Sequence, residues 1–498
     1  MMSNIGKKNQ GHLMRWLLGS MLLVGVFVKA EMSIAHSHPS ASGNICSAQL
    51  RSEIDAIVNR PEFARSRLGI LVETLSSREP AKTLYALEAK KYFTPASTAK
   101  LLTTAAALSA MNPNFRIRTS VYGTIADDRA SLRVVGRGDP TIQQAQLEAL
   151  AQQLHDRGIR QVDRLIAEDT YFQGSPINPN WQWEDIQAGY GARVNSLIFN
   201  QNAIDLILSP QKVGEPLKVS WADPQEANQW QVENNSITVD KGEDEFVQVG
   251  RDLVRPIVRV AGQLIVGSAS EPIYAAVVDP GDRFLQRFRQ ALVEQGIRVN
   301  RTLLVSESFP NSANDTTPEL AAIESPPLSE LVMEVNKTSN NLYAEVLLKV
   351  LGVTVPLEGD RDEANTSTDA GLAVVTATLT QLGVNPDSYI LADGSGLSRH
   401  NAISPEALVQ TLRVMASSDR STLYRDSLPV RELPNGAIVQ AKSGGMSGVS
   451  SLAGYVNGPL NNPLVFAIIL NHSADNSGTV RRQAISEIVQ LLGRLDRC

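Results

Sequence analysis

Three short polar strings, far apart but in a fixed order, constrain this chain more than anything else in it: Ser97-Thr98-Ala99-Lys100, Ser339-Asn340-Asn341 and Lys442-Ser443-Gly444. Ser339 lies 242 positions beyond Ser97, and Lys442 a further 103 beyond Ser339. Each string alone is common by chance. Together they supply a serine with a lysine one helical turn away, a second polar group, and a lysine on a strand end. Those are the parts of a serine–lysine acyl-transfer site. A chain that brings them together must build one unit from both of its ends, with whole extra domains in the first gap.

The remaining bulk properties fit an exported globular protein. At 498 residues the chain has room for two to four domains. Its formal charge of -6 argues against nucleic acid as a partner, because phosphate binding wants a basic face. Lys7, Lys8 and Arg15 precede a 13-residue apolar run at 16–28, followed by Lys29-Ala30. That is the layout of a secretory signal at 1–30, too short for a comfortable membrane-spanning helix. The expectation is a periplasmic protein whose membrane association is at most peripheral; an uncleaved anchor would also leave the body outside the cytoplasm. The two cysteines, Cys46 and Cys498, sit near the ends of the mature chain, where they either bridge or stay as two thiols. The six histidines show no metal-ligand spacing, so neither metal nor cofactor is expected.

Along the chain the texture changes twice. Helical spacing at 47–60 and an apolar strand at 68–75 lead to Pro95, a helix-start residue, and then to an apolar run ending before Pro113. This predicts Ser97 in the first turn of a buried helix. From 117 to 320 short β-like runs dominate, with a helix-plus-strand patch at 144–168. After 320 helical patterns return at 328–335, 341–352, 370–382, 405–415 and 479–495, with strands at 438–441, 451–456 and 464–470. The fold class expected is multi-domain α+β. A domain of helices covering an antiparallel sheet (46–116 and 320–498) is split by a β-rich domain (117–142 and 215–319) carrying a small α/β insertion (143–214).

The chemistry follows from residue type and setting. Ser97 and Lys100, three apart on a helix, share one face. A serine hydroxyl needs a base to become a nucleophile, and a lysine serves only if burial or a second cation depresses its proton affinity. The apolar helix supplies the burial, and Lys442 is the candidate second cation. Ser339 is placed as a proton relay between Lys100 and the leaving amine, and Asn341 as a group holding Lys100 and the substrate amide. Residues 438–445 read as a strand running into a glycine-rich edge. Lys442 and Ser443 there suit a substrate carboxylate, and the amides of Ser97 and Gly445 suit an oxyanion.

In these motifs the chain resembles the class C low-molecular-mass penicillin-binding proteins, the D-alanyl-D-alanine carboxypeptidase/endopeptidase family. It shares with them Gly138-Asp139-Pro140 and Asn195-Ser196-Leu197 with Asn200. It also shares Asp393-Gly394-Ser395-Gly396-Leu397-Ser398-Arg399 with Asn401. The resemblance runs from about residue 46 to the C-terminus, and the long first gap separates the family from single-domain β-lactamases. It implies a split transpeptidase-like (serine β-lactamase-like) domain with no metal or cofactor, peptidoglycan stem peptides as substrates and β-lactams as covalent inhibitors. It further implies Ser97 as nucleophile, Lys100 as base, Ser339 and Asn341 as relay and positioning groups, and Lys442 and Ser443 as the carboxylate anchor. Arg399 would reach the side chain of the stem-peptide diamino acid.

One departure stands out. The family usually carries Thr or Ser directly after its Lys-Thr/Ser-Gly triplet, and here that position is Gly445. One hydroxyl that would grip the substrate carboxylate is missing, which predicts altered carboxylate recognition with acylation retained. Two other readings stay open on sequence alone: a β-lactamase or esterase using the same machinery, and a catalytically silent cell-wall-binding protein.

Overall fold

The computed structural model describes residues 45–75, 80–306, 316–356, 366–458, 463–473 and 478–496. The expected signal segment at 1–30 and the distal cysteine, Cys498, lie outside the described residues. Among the described residues no helix is long and apolar enough to cross a membrane.

The unit that carries the three strings is built on a six-stranded antiparallel sheet. Its order is Val430–Glu432, Ile438–Met446, Val449–Asn457, Pro463–Asn471, Arg67–Thr74 and Thr83–Leu87. Arg67 faces Asn471 in the register that joins the early strands to the late ones. The two ends of the chain therefore share one sheet, as the ordered strings required. The strand Pro463–Asn471 shows why it is apolar throughout. Side chains alternate across a strand, and here both faces are covered. Val465, Ala467 and Ile469 enter the core with the helices Lys100–Ala110, Leu328–Lys337, Asn341–Thr354 and Pro405–Ser417. Leu464, Phe466, Ile468 and Leu470 enter a second core with Ser47–Val58 and Thr479–Gly493.

The helix Lys100–Ala110 sits at the centre of the first layer and is buried at every position from Lys100 to Leu108. A helix surrounded on all sides needs no polar face, and its buried Thr103 and Thr104 hydroxyls donate to the Gly394 and Lys100 carbonyls. At the far end, Ile45–Cys46 pairs in parallel with Leu495–Asp496, joining the first and last described segments. Cys46 is disulfide-bonded.

The middle section holds a mixed sheet and two small three-stranded sheets. The mixed sheet joins Arg118–Ala126, Arg129–Val135, Gln161–Glu168, Arg298–Val299, Thr302–Val305 and Glu319–Glu324. Its core is formed with the helices Gln144–Asp156 and Pro280–Glu294. The small sheets use only strands between 203 and 276 and share a core of their own.

The multi-domain architecture mixing helices with antiparallel-rich sheets is as expected, but strand pairing does not respect the expected boundary at 142/143. Gln161–Glu168 pairs in parallel with Arg129–Val135, and a parallel neighbour requires a crossover, which the helix Gln144–Asp156 provides. The α/β patch and the strands on either side of it form one layer, and the β-only sheets are nested inside it. Strand-like texture reports that a segment is extended; it carries no information about its partner.

Candidate active site

The turn that bears Ser97 is set by backbone geometry before any chemistry begins. Residues Ala96–Ala99 form a 3-10 turn leading into the helix Lys100–Ala110, close to the predicted first turn. Ala96 adopts a left-handed φ of 51°, a conformation that costs a non-glycine residue on the order of 1 kcal/mol. Three contacts hold it there. The Pro95 carbonyl accepts from Ser451 Oγ at 2.6 Å and Thr98 Oγ1 at 2.8 Å. Gly396 packs on the Ala96 carbonyl so closely that a Cβ there would stand 2.0 Å from the oxygen.

Lys100 is fully buried, and its three ammonium donors meet three acceptors. Nζ donates to Ser97 Oγ at 2.9 Å, Asn341 Oδ1 at 2.7 Å and the Ser395 carbonyl at 2.6 Å. Burial lowers its pKa to about 7, against the opposing pull of Asp393 and Glu345. Near neutrality the group is thus divided between ammonium and free amine, the condition a lysine base needs. Burial leads this effect; the expected second cation does not.

Lys442 is equally buried but makes a separate pair. Its Nζ donates to Ser339 Oγ at 2.7 Å and to the Ser443 carbonyl at 2.9 Å. Burial, followed by the nearby Lys100, holds its pKa well below the ordinary lysine value. Ser339 has φ 63° and lies between the helices Leu328–Lys337 and Asn341–Thr354. Asn340 caps the second helix by accepting from the Tyr343 amide at 3.2 Å, and donates to Gln201 Oε1 at 2.7 Å. Asn341 Nδ2 donates to the Tyr190 carbonyl at 3.0 Å. The segment 190–201 of the long middle section therefore touches the same site.

The third string lies on the strand Ile438–Met446. Val430–Glu432 pairs only with residues 438–440 of that strand, while its other edge is paired along its whole length. Among the described residues, no strand covers the outer edge at 441–446. Ser443 is exposed, and Gly444 and Gly445 are half-buried. Gly444 lies against the nucleophile turn, where a Cβ would stand 2.8 Å from the Ser97 nitrogen. Arg399 is exposed and donates to the Ser447 carbonyl at 3.2 Å and to Gln182 Oε1 at 3.2 Å. It ties the 393–401 loop to the turn just beyond the third string.

Of the carboxylates behind the lysine, sequence reasoning named Asp393 only as part of the shared 393–401 motif, without a role, and missed Glu345. Asp393 collects four donors: Trp181 Nε1 at 2.9 Å, Gly396 N at 2.8 Å, Ser398 N at 2.6 Å and Asn401 Nδ2 at 2.8 Å. Glu345 accepts from the amides of Gly394 at 3.0 Å and Ser395 at 2.8 Å. A usable signal was present: Asn341, Glu345 and Lys349 recur every four residues on an otherwise apolar helix. Among the described residues no group of three or more His, Cys, Asp or Glu is placed to hold a metal ion.

The chain is similar to known carboxypeptidases over most of its length. It is 30% identical to the D-alanyl-D-alanine carboxypeptidase of Actinomadura sp. (strain R39), an alignment covering 85% of this chain and 81% of that one. It is 26% identical to the penicillin-sensitive carboxypeptidase A of Dictyostelium discoideum, over 95% and 96% of the two chains. Its fold matches the crystal structure of penicillin binding protein 4 (dacB) from Haemophilus influenzae with a TM-score of 0.72. That match covers 88% of this chain and 99% of the other at 21% identity. The D-Ala-D-Ala carboxypeptidase 3 (S13) family matches residues 50–495. The chain belongs to that family and is a serine-type D-Ala-D-Ala carboxypeptidase.

Proposed function

We propose that Ser97 is the acylated nucleophile of a DD-carboxypeptidase that also acts as a DD-endopeptidase on peptidoglycan cross-links. The observation that carries this reading is the buried Lys100 amine, which bridges Ser97, Asn341 and the Ser395 carbonyl. As Ser97 Oγ attacks the carbonyl of the D-Ala-D-Ala bond, Lys100 takes its proton. The amides of Ser97 and Gly445 receive the developing oxyanion. Collapse breaks the C–N bond, and the leaving amine takes a proton through Ser339, supplied from Lys442. Water then attacks the ester, giving its proton to Lys442 through Ser339, and Ser97 recovers its own from Lys100 as the acyl group leaves. Ser443 and Lys442 hold the terminal carboxylate, Asn341 the substrate amide, and Arg399 the diamino-acid side chain.

β-Lactams enter the same route, with the strained amide in place of the peptide. The ring nitrogen stays tethered to the acyl group and the ester persists. The Dictyostelium relative is named for its penicillin sensitivity, which supports this. Residues 1–30 act as a secretory signal, placing the enzyme in the periplasm beside its substrate. The catalytic unit comprises 46–116 and 320–498, with 117–319 as its interruption.

Mass spectrometry of the full protein after penicillin treatment tests the core of the reading. One adduct is expected, on the peptide containing Ser97, and Ser97→Ala should abolish both it and D-alanine release. An adduct that survives Ser97→Ala would refute the assignment. Steady turnover of penicillin without D-alanine release would refute the carboxypeptidase role.

A further inference from the structure

Glu345 lies on the buried face of the helix Asn341–Thr354, one turn after Asn341 and one before Lys349, and is 2% exposed. A carboxylate so deeply buried needs donors, and its donors are the backbone amides of Gly394 and Ser395, both on the same oxygen, Oε1. The Gly394 carbonyl in turn accepts from Thr103 Oγ1 at 2.8 Å, on the helix that carries Lys100. The Ser395 carbonyl accepts from Lys100 Nζ. Every polar backbone group of the Gly394–Ser395 pair is thus held, and the loop can present only one carbonyl to the lysine. The packing is close: a Cβ on Gly394 would lie 2.9 Å from the Ala344 carbonyl.

We propose that Glu345 is a positioning residue for acyl transfer: it fixes the Ser395 carbonyl on Lys100 and supplies counter-charge when that lysine accepts the Ser97 proton. This rests on the reading of Ser97 and Lys100 given above. Lys100 faces the cluster from the nucleophile helix and Asp393 from the 393–401 loop. Lys349 lies one turn further along Glu345's own helix, and beyond it stand Asp169 and Asp369. Asp393 is already committed to four donors, two on each oxygen. Glu345 has fewer, and burial followed by Asp393 raises its pKa above the ordinary carboxylate range. In that dry cluster an ionised Glu345 offsets the positive charge that Lys100 gains when it takes the Ser97 proton.

The test is the pH dependence of acylation by labelled penicillin, from pH 5.5 to 9, for wild type, Glu345→Gln and Glu345→Asp. Gln keeps an acceptor oxygen for both amides and removes the charge. Without that charge Lys100 binds its proton less tightly, so the acid limb should move down by about one pH unit. The ratio of rates at pH 8 and pH 6 should then fall from about tenfold to about twofold, with a lower plateau. Glu345→Asp keeps the charge but shortens the reach, and should slow acylation while leaving the midpoint in place. A Gln variant with the wild-type midpoint would overturn the proposal. If that variant does not fold, a displaced midpoint in the Asp variant would overturn it. Failure of wild type to form a Ser97 adduct would instead defeat the functional reading on which this one rests.

Discussion

Gly444→Ala should slow acylation without removing any reactive group. The strand position opposite Gly444 is Ser451, whose hydroxyl donates to the Pro95 carbonyl and so clasps the nucleophile turn to the sheet. A Cβ at 444 would stand 2.4 Å from Ser451 Oγ, 2.8 Å from the Pro95 oxygen and 2.8 Å from the Ser97 nitrogen. The hydroxyl can rotate away only by giving up its bond to Pro95. The other two contacts are backbone and cannot rotate at all. Reaching ordinary contact requires the turn to retreat by roughly 0.5 Å, at an overpacking cost of about 1–3 kcal/mol. The retreat moves Ser97 away from Gly445, so the two amides that would bind the oxyanion separate. Misplacement on this scale costs about 10- to 100-fold in rate. The assay is the second-order rate of labelled-penicillin attachment, with thermal unfolding as the measure of the packing cost. A rate within about twofold of wild type would refute the reasoning, because the turn would then have absorbed a methyl group without losing its geometry.

Lys100 and Gly445 give two further predictions. Because the Lys100 pKa is about 7, penicillin acylation by wild type should rise about tenfold from pH 6 to pH 8; a flat profile would remove the lysine base. The same depression has a stability consequence. The unfolded chain holds this proton up to the ordinary lysine value and the folded chain does not. Stability therefore rises as pH climbs from about 7 towards 10.5, by on the order of 5 kcal/mol at most for this group. Lys100→Met should lose acylation and exceed wild type in stability most clearly below pH 7, the gap closing as pH rises; denaturant midpoints at pH 6.5 and pH 9 would show it. Gly445→Thr should raise the specificity constant for D-alanine release by restoring a hydroxyl to the strand edge, and an unchanged or lower value would count against that role.

Much of this protein was legible because its chemistry is written in short local strings. Ser97 and Lys100 share a helix face by spacing alone, and a mostly apolar helix behind them had to be buried. The strand Pro463–Asn471, apolar at consecutive positions, had to be covered on both faces. The order and separation of the three strings implied a unit closed from both chain ends, and the pairing of Arg67–Thr74 with Pro463–Asn471 does that.

What local sequence could not decide was partnership. Nothing in residues 161–168 announces that they pair in parallel with 129–135, so the internal division of the middle section came out differently. Likewise Lys442 faces Ser339, and burial does the work expected of a second cation on Lys100. Glu345 and Asp393 belong to no nucleophile motif and acquire their meaning only through the backbone amides and lysines that folding brings to them. Residue types and spacings determine which chemistry is possible. The proton affinities that make it run depend on burial and on neighbours distant in sequence, and those exist only once the chain has closed on itself.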